Sequence, residues 1–282
     1  MSDPAPSIIG TTRDQENLSK AEYGVYANTE HGDCGYYCFK PQNPIKNAAG
    51  KTPAVIFFHG GMFDQRLSAQ FAPHCLHFAN RGMMAFSVEY RVSTKHGTNA
   101  MDSLQDARMF MDFLNQNQDF FGIDIKQVVV GGSASGGMLA LHLALRHKHT
   151  IQHVHQLPRP IACILYSPHT NATQKGIGLE CFPSKGDAKK MSPVEHCAKG
   201  DPALILFHGK ADTTIPFQHS EKLFKKWKSK SKNAELVDFQ TARHIDFNLN
   251  VNPEFYEQAL RSADNFLTDL EILPPDPDAF LD

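Results

Sequence analysis

The stretch Val128-Val-Val-Gly-Gly-Ser-Ala-Ser-Gly-Gly-Met-Leu-Ala140 decides the fold of this chain. Its three valines predict a short buried strand, the glycines and serines predict a tight turn, and the apolar residues from about Ser135 predict a buried helix. Residues 127–145 carry no formal charge over about the length that spans a bilayer. Because glycine pairs, serines and His142 interrupt this run, we interpret it as a strand, a turn and a helix rather than a membrane span.

Short apolar strands alternate with helices on both sides of this stretch. The predicted strands are Tyr36–Phe39, Ala54–Phe58, Met83–Val88, Val128–Val130, Ile161–Tyr166, Ala203–Phe207 and Glu235–Phe239. The predicted helices are 70–80, 101–115, one from about Ser135, 217–230 and 253–270. This alternation indicates an α/β fold, with a mostly parallel sheet covered by helices on both faces.

The alternation predicts a single domain over residues 36–272. We expect an N-terminal extension, residues 1–35, before it and a flexible tail, residues 273–282, after it. Residues 167–201 break the pattern, since they are rich in Gly, Pro, Lys and Ser. A loop of this length in a compact domain usually has a function. We interpret it as a small lid insertion over the carboxyl ends of the strands, where α/β sheets bind ligands.

Charge and composition exclude several classes of partner. The 282 residues include 28 Lys and Arg against 30 Asp and Glu, which gives a net charge of −2. Without a basic field, neither nucleic acid nor a membrane is an expected partner. The six cysteines are scattered, and we predict no metal and no cofactor. Residues 1–10 lack an apolar signal core, which predicts a cytoplasmic protein, or a secreted or periplasmic one whose signal peptide has been removed.

The turn in the quoted stretch resembles the nucleophile elbow of the α/β-hydrolase fold, in which a strand turns sharply into a helix around G-x-S-x-G. Gly132 and Gly136 stand at the two glycine positions, which places Ala134 at the position of the nucleophile. Small residues are needed on either side because the central residue is held in a strained turn against neighbouring backbone.

Three further motifs extend the resemblance over nearly the whole chain. His59-Gly-Gly61, after a buried strand, is similar to an oxyanion loop, and Glu89-Tyr-Arg91 is similar to a strand-end motif of the acetyl-esterase and hormone-sensitive-lipase-like branch. His208-Gly-Lys-Ala-Asp212 is similar to the acid loop, and His244 follows before the last helix. The order elbow, acid, histidine is the order of this fold.

The resemblance implies a serine ester hydrolase. In that mechanism His244 takes the proton of a hydroxyl at position 134, and Asp212 holds the tautomer of the imidazole. Asp246 is a rival for the role of the acid. The implied catalytic positions are Ala134, Asp212 and His244, and the implied oxyanion hole consists of Gly60, Gly61, Met62 and Ser135.

Ala134 departs from the family pattern at its most important position, and three interpretations remain open. In the first, a natural serine has been replaced to give an engineered inactive variant. In the second, Ser133 or Ser135 is the nucleophile. In the third, the protein is a pseudoenzyme that binds an ester without cleaving it. The presence of Asp212 and His244 favours the first, because a long-inactive protein has no chemical reason to keep them.

The resemblance also implies the substrate class, which is short acyl esters, acetyl above all, in small molecules or carbohydrates. Four phenylalanines are expected on loops at the strand ends, where with Met62 they would line a modest apolar pocket: Phe63, Phe182, Phe217 and Phe247. The alternatives are a peptidase of the prolyl-oligopeptidase type and a non-catalytic ester-binding protein. The sequence does not fix the oligomeric state.

Overall fold

Eight strands form the sheet of the computed structural model, which describes residues 11–145, 157–174, 177–231 and 233–280. The strands are β1 (Glu22–Thr29), β2 (Gly32–Phe39), β3 (Thr52–Phe58), β4 (Met84–Val88), β5 (Ile123–Ser133), β6 (Ala162–Tyr166), β7 (Ala203–Gly209) and β8 (Ala234–Phe239). Their order across the sheet is β1-β2-β4-β3-β5-β6-β7-β8.

The helices that cover the sheet follow the strands in sequence. They are α1 (Thr12–Ser19), α2 (Ala72–Asn80), α3 (Ser93–His96), α4 (Ala100–Gln116), α5 (Gln118–Phe121), α6 (Ala134–Ala144), α7 (Lys185–Met191), α8 (Gln218–Lys228) and α9 (Pro253–Asp269). Short 3-10 turns occur at Leu179–Cys181 and Pro193–Glu195. None of the helices in the described ranges is both long and apolar enough to cross a membrane.

Strands β3 to β8 pair in parallel, whereas β1 and β2 form an antiparallel pair at one edge. Successive residues of the central strands point to opposite faces. Val128 and Val130 accordingly join the core cluster that includes α4 and α6, and Val129 joins the cluster that includes α2 and α9. Both faces are buried, which confirms the prediction of a mostly parallel sheet covered by helices on both sides.

The structure corrects both predicted ends of the domain. Residues 22–29, assigned to an extension ending at residue 35, form β1 and belong to the sheet. The sequence analysis missed β1 because its residues are exposed or half-exposed along the whole strand, which leaves no clear apolar run. At the other end, Leu273 is buried and Pro274 accepts a hydrogen bond of 2.7 Å from Arg81. Phe280 stacks on His77 at 4.8 Å, so the expected flexible tail packs on the body up to residue 280.

The insertion at residues 167–201 contains α7 and the two 3-10 turns, and it contacts the loop that follows β3. Cys181 Sγ donates to the carbonyl of Met62 at 3.2 Å. The ring of Phe182 meets that of Phe63 edge-on, with centroids 6.0 Å apart. The segment therefore lies against the carboxyl end of β3, and whether it opens and closes as a lid stays a prediction.

Candidate active site

A sharp turn joins β5 to α6 with no residue between them. Ser133 ends the strand, and Ala134 opens the helix with a φ of 49°. A positive φ is costly for a residue with a side chain, so the surrounding structure must hold it in place. A Cβ at Gly136 would lie 2.1 Å from the carbonyl oxygen of Phe58, and one at Gly132 would lie 2.5 Å from Gly136 itself. Both flanking positions therefore require glycine.

Ala134 is the residue at the apex of this turn. Ser133 has extended backbone, with φ −114° and ψ 144°, and pairs with Tyr166 as the last residue of β5. Ser135 is fully buried within α6, and its Oγ lies 3.2 Å from the hydroxyl of Tyr90. The geometry therefore centres the elbow on position 134 and gives Ser135 a partner away from the cavity.

Asp212 and His244 are brought together by the loops after β7 and β8. His244 Nδ1 lies 2.8 Å from Asp212 Oδ2. The other carboxylate oxygen accepts the backbone N–H groups of Thr214 at 2.9 Å and Ile215 at 2.8 Å. Burial opposes ionisation of Asp212, but the hydrogen bonds from His208, His244 and Ile215 outweigh it and hold the pKa of this carboxyl well below its usual value.

Asp246, the rival acid, is occupied elsewhere. Its carboxylate accepts the backbone N–H of Arg243 at 2.8 Å and pairs with the guanidinium of the same residue, also at 2.8 Å. Asp212 is therefore the carboxylate that orients His244.

His208 is a residue of this site that the sequence analysis left without a role, although it begins the motif that ends in Asp212. Its Nε2 lies 2.9 Å from the carbonyl of Ile215 and 3.3 Å from Asp212 Oδ2. Because both are acceptors, Nε2 carries the proton, and Nδ1 accepts the hydroxyl of Ser220 at 2.7 Å. The ring is fully buried, and it approaches the same carboxylate oxygen as His244.

The expected oxyanion loop, residues 59–63, follows β3 and faces the elbow. Gly61, Met62 and Phe63 all have positive φ, at 100°, 51° and 63°. A Cβ at Gly60 would lie 3.7 Å from the Cβ of Ala134, so this loop approaches the elbow closely. Among the described residues, the backbone N–H groups of Gly61 and Met62 have no protein acceptor.

Gly60 requires a correction, since it was expected to contribute to the oxyanion hole. Its N–H donates to Gln70 Oε1 at 2.7 Å and so is not available to a ligand. Gln70 in turn donates from Nε2 to Asn248 Oδ1 at 2.9 Å. This bridge connects the oxyanion loop to the loop that carries His244, and no motif in the sequence pointed to it.

The buried side chain of Tyr90 holds the oxyanion loop through its hydroxyl group. Its hydroxyl lies 2.8 Å from the carbonyl of His59, 3.0 Å from that of Gly60 and 3.2 Å from Ser135 Oγ. Its ring stacks on His59 with centroids 4.2 Å apart. A single buried phenol therefore contacts both the loop and the first turn of α6, which are the two sides of the expected oxyanion hole.

One cavity of about 200 Å³ joins these parts. Its lining includes position 134, the histidine and the oxyanion loop, and the full set is Gly60, Gly61, Met62, Asp64, Gln65, Leu67, Gln70, Ser133, Ala134, Thr214, His244, Ile245 and Asn248. A neighbouring cavity of about 380 Å³ shares Met62 and Asp64 with it. Among the described residues, no group of three or more His, Cys, Asp or Glu side chains could hold a metal ion.

The four phenylalanines expected to line the pocket are divided by the structure. Phe63 lines the neighbouring cavity, and the ring of Phe182 packs against the ring of Phe63. Phe217 instead packs on the buried ring of His208, at 5.6 Å. Phe247 is buried in the core on the α2 and α9 face of the sheet. The prediction was wrong for Phe247, because a residue just after the histidine loop turns inward to cover the sheet.

A mostly parallel sheet with its strand-to-helix elbow beside an acid loop and a histidine loop is the arrangement of the α/β-hydrolase fold. Solved esterases share it closely. Esterase Est2 from Thermogutta terrifontis, with propionate bound, superposes with a TM-score of 0.82 and 30% identity over 92% of this chain and 97% of that one. The butyrate-bound form gives the same TM-score and coverage at 29% identity. The molecule is thus an α/β hydrolase of the esterase type.

The family is also defined by sequence. The BD-FAE family model matches residues 43–166 and 162–227, and the chain belongs to this family. Curated relatives include isoprenylcysteine alpha-carbonyl methylesterase ICME from Arabidopsis thaliana, 24% identical over 83% of this chain and 59% of the relative. Acylamino-acid-releasing enzyme from Sus scrofa is 21% identical over 92% of this chain and 37% of the relative. Neuroligin-like protein glit-1 from Caenorhabditis elegans is 33% identical over 39% of this chain and 16% of the relative. The chain spans less than two thirds of each of these three.

Proposed function

We propose that this protein is built to bind and hydrolyse short-acyl carboxylic esters, with position 134 as the place of the nucleophile. The observation that supports this most directly is the single cavity lined by Ala134, His244 and the oxyanion loop. With alanine at 134 no hydroxyl stands at the apex of the elbow, so the chain as it stands binds the ester without forming an acyl-enzyme.

With a hydroxyl at position 134, the arrangement supports acyl transfer. The hydroxyl oxygen attacks the ester carbonyl carbon while His244 Nε2 takes its proton. Asp212, bonded to Nδ1, keeps Nε2 free to accept that proton and stabilises the imidazolium. The alcohol then leaves with the proton, and water, activated by the same imidazole, hydrolyses the acyl-enzyme.

The negative charge that develops on the carbonyl oxygen needs donors fixed in advance. The backbone N–H of Ser135, at the start of α6, and those of Gly61 and Met62 supply three candidates on two sides of the cavity. Their positions are held by Tyr90 rather than by the ligand, so no reorganisation is required when the charge appears.

The size of the cavity supports a short acyl group. The cavity of about 200 Å³ beside the elbow, with Met62 in its lining, is large enough for an acetyl group. Est2, with which this chain shares 30% identity, is described with propionate and with butyrate bound.

The neighbouring cavity supports a hydroxylated alcohol half, such as a carbohydrate. Its lining is rich in hydrogen-bonding side chains, which suit sugar hydroxyls, and includes Asp64, Ser93, Thr98, Asn99 and Glu180. Because this cavity shares Met62 and Asp64 with the ester cavity, we expect an acetylated sugar to place its acetyl group at the elbow and its hydroxyl groups against these side chains.

Ala134 itself favours a second candidate, a natural ester-binding protein without catalysis. The peptidase alternative is supported by the similarity to acylamino-acid-releasing enzyme. That support is weak, because the two sequences are only 21% identical. A peptidase would require the same hydroxyl at position 134, so one set of variants tests all three.

The test is hydrolysis of p-nitrophenyl acetate by this chain, by Ala134→Ser, and by Ala134→Ser with His244→Ala. We expect activity only in the serine variant, with a gain of about 10⁴- to 10⁶-fold, the range lost when a triad serine is removed in related chemistry. Activity in the unchanged chain would assign the nucleophile to Ser133 or Ser135. An inert serine variant that still binds the ester would support the non-catalytic alternative, and cleavage of an acyl-peptide in preference to the ester would support the peptidase.

A further inference from the structure

A second polar cavity lies across the acid loop from the ester cavity. It has a volume of about 270 Å³, and its lining consists of Thr170, Asn171, Gln174, Val194, Pro216, Gln218, His219 and Lys222. None of these residues lines the ester cavity. Thr214 faces one cavity and Pro216 the other, so the short segment between them separates the two.

The floor of this cavity contains an imidazole with an unused donor. His219 is 7% exposed, and its Nδ1 accepts the backbone N–H of Thr170 at 3.4 Å. Nε2 must then carry the ring proton of the neutral imidazole. Among the described residues Nε2 has no hydrogen-bond partner. This N–H is therefore available to a ligand that places an acceptor at this point.

The charge of the lining points to an anion. Lys222 is its only charged residue, and within the described part of the chain it forms no ion pair. Its neighbours on α8 differ, since Lys225 pairs with Glu221 at 3.0 Å and Lys226 lies 3.8 Å from Glu195. The lining thus holds an ammonium and an imidazole N–H but no carboxylate, and these two donors suit a carboxylate ligand.

The remaining polar groups are amides. Asn171 Oδ1 already accepts from the backbone N–H and the hydroxyl of Thr173, at 3.0 and 2.8 Å, which leaves its NH2 group as a donor. Gln174 and Gln218 are exposed at the rim and offer both donors and acceptors. Amides of this kind match hydroxyl groups, which also donate and accept.

We propose that this cavity binds a small hydroxylated carboxylate, such as a sugar acid. Its carboxylate accepts from Lys222 Nζ and His219 Nε2–H, and its hydroxyl groups bond to the amides of Asn171, Gln174 and Gln218. Burial, and after it the neighbouring His169, His208 and Lys222, lower the pKa of His219 to about 4, so near neutral pH the imidazole acts as a neutral donor. The site needs no nucleophile at position 134 and is independent of the proposed ester hydrolysis.

The test uses the unchanged full chain and isothermal titration calorimetry with three probes. Galacturonate carries the carboxylate and the hydroxyls, galactose carries the hydroxyls alone, and inorganic phosphate carries the charge alone. We expect galacturonate to bind at least about tenfold more tightly than either of the others. In a parallel NMR titration with galacturonate, the side-chain Nε2–H signal of His219 should shift on saturation.

Two matched lysine variants locate the site. Lys222→Met should weaken galacturonate binding by at least about tenfold, whereas Lys225→Met, on the same helix and outside the cavity, should change it less than about twofold. Both positions are exposed, so neither change threatens the fold. Equal binding of galactose, equal binding of phosphate, an effect shared by both lysine variants, or no saturation with galacturonate would each overturn the proposal.

Discussion

His208 Nε2 lies 3.3 Å from Asp212 Oδ2, the same oxygen that lies 2.8 Å from His244 Nδ1. One carboxylate oxygen therefore faces two imidazoles, of which only His244 reaches the cavity. His208 is held in one tautomer by Ile215 and Ser220, so its N–H adds to the two backbone N–H groups that already hold the other oxygen of the carboxylate. We infer that His208 is a positioning residue for the acid.

Removing the His208 imidazole should misalign the acid without affecting the cavity. In the Ala134→Ser background we expect His208→Leu to lower kcat by about 10- to 100-fold, less than loss of the acid itself, with KM within about twofold. His208→Gln, which can return an N–H to Asp212, should recover part of the loss.

The same change has a readout that does not require activity. In the unchanged Ala134 chain, the His244 Nδ1–H proton, bonded to Asp212, should move upfield in the NMR spectrum of His208→Leu. Ser220→Ala, which removes only the bond to His208 Nδ1, should give a smaller shift in the same direction. If the chemical shift of this proton and kcat were both unchanged in His208→Leu, His208 would have only a packing role.

Tyr90→Phe should loosen the oxyanion loop. The change removes the hydroxyl that bonds the carbonyls of His59 and Gly60 and contacts Ser135. Because the donors remain but are less well fixed, we expect kcat of the Ala134→Ser protein to fall by about tenfold, less than the 10²- to 10³-fold that follows deletion of one oxyanion donor. KM should change little, since the ground-state ester depends less on these groups.

Tyr26→Phe is the matched control for Tyr90→Phe. Tyr26 also donates its hydroxyl to a backbone carbonyl, that of Glu89, at 2.8 Å, but it lies outside the cavity lining. Thermal unfolding and ester kinetics should separate the two variants, with similar losses of stability and a loss of kcat in Tyr90→Phe alone. If both variants kept full activity, Tyr90 would have no role in positioning the loop.

The fold was predictable from the sequence because each central strand is a short apolar run between a turn and a helix. The predicted strand at Ala54–Phe58 lies within the observed Thr52–Phe58, and the predicted Ile161–Tyr166 overlaps Ala162–Tyr166. Strand β1 was missed because it is an edge strand with one partner, and its half-exposed residues give no clear periodicity.

The candidate site was predictable where a motif fixes the backbone and was not predictable where side chains meet across the fold. The glycines of the elbow predicted a tight turn, and the structure shows that a Cβ has no room at these positions. The bond from Gln70 to Asn248 joins residues 178 positions apart, and no local pattern encodes it. Phe247 was misplaced for the same reason, because only the packed sheet decides which way a loop phenylalanine turns.

The crowding at the elbow gives a prediction about stability. Gly136→Ala would place a Cβ 2.1 Å from the carbonyl oxygen of Phe58 and 2.2 Å from that of His59, where backbone cannot move aside. We expect the free energy of unfolding to fall by about 3 kcal/mol or more. Chemical denaturation with urea, followed by circular dichroism, would measure the loss.

Gly186→Ala is the control for that change. Gly186 lies in α7, and the nearest atom to an added Cβ is the Ser184 hydroxyl oxygen at 3.5 Å. Alanine there should stabilise the protein by about 0.5 to 1 kcal/mol, because glycine loses more backbone entropy in a helix. Equal effects at the two positions would contradict the close approach of α6 to the loop after β3.

His74 gives a prediction about pH. It lies in the core between aromatic rings, and neither of its ring nitrogens has a partner in the described residues. Burial lowers its pKa from 6.5 to about 3. The unfolded chain therefore binds a proton below about pH 6.5 that the folded protein does not, so stability falls as the pH drops from 6.5 towards 3, by about 1.4 kcal/mol per pH unit for this group.

His74→Phe should remove that part of the acid sensitivity. Phenylalanine suits the surrounding rings of Phe57, Phe71 and Tyr166 and leaves no unpaired nitrogen. At pH 7 we expect stability to be unchanged or higher, and between pH 6.5 and 5 the variant should lose about 2 kcal/mol less than the parent. Urea unfolding at a series of pH values measures the slope. The control, His31→Phe, removes an exposed histidine and should leave the slope as it was, and an unchanged slope in His74→Phe as well would show that His74 takes up its proton in the folded protein.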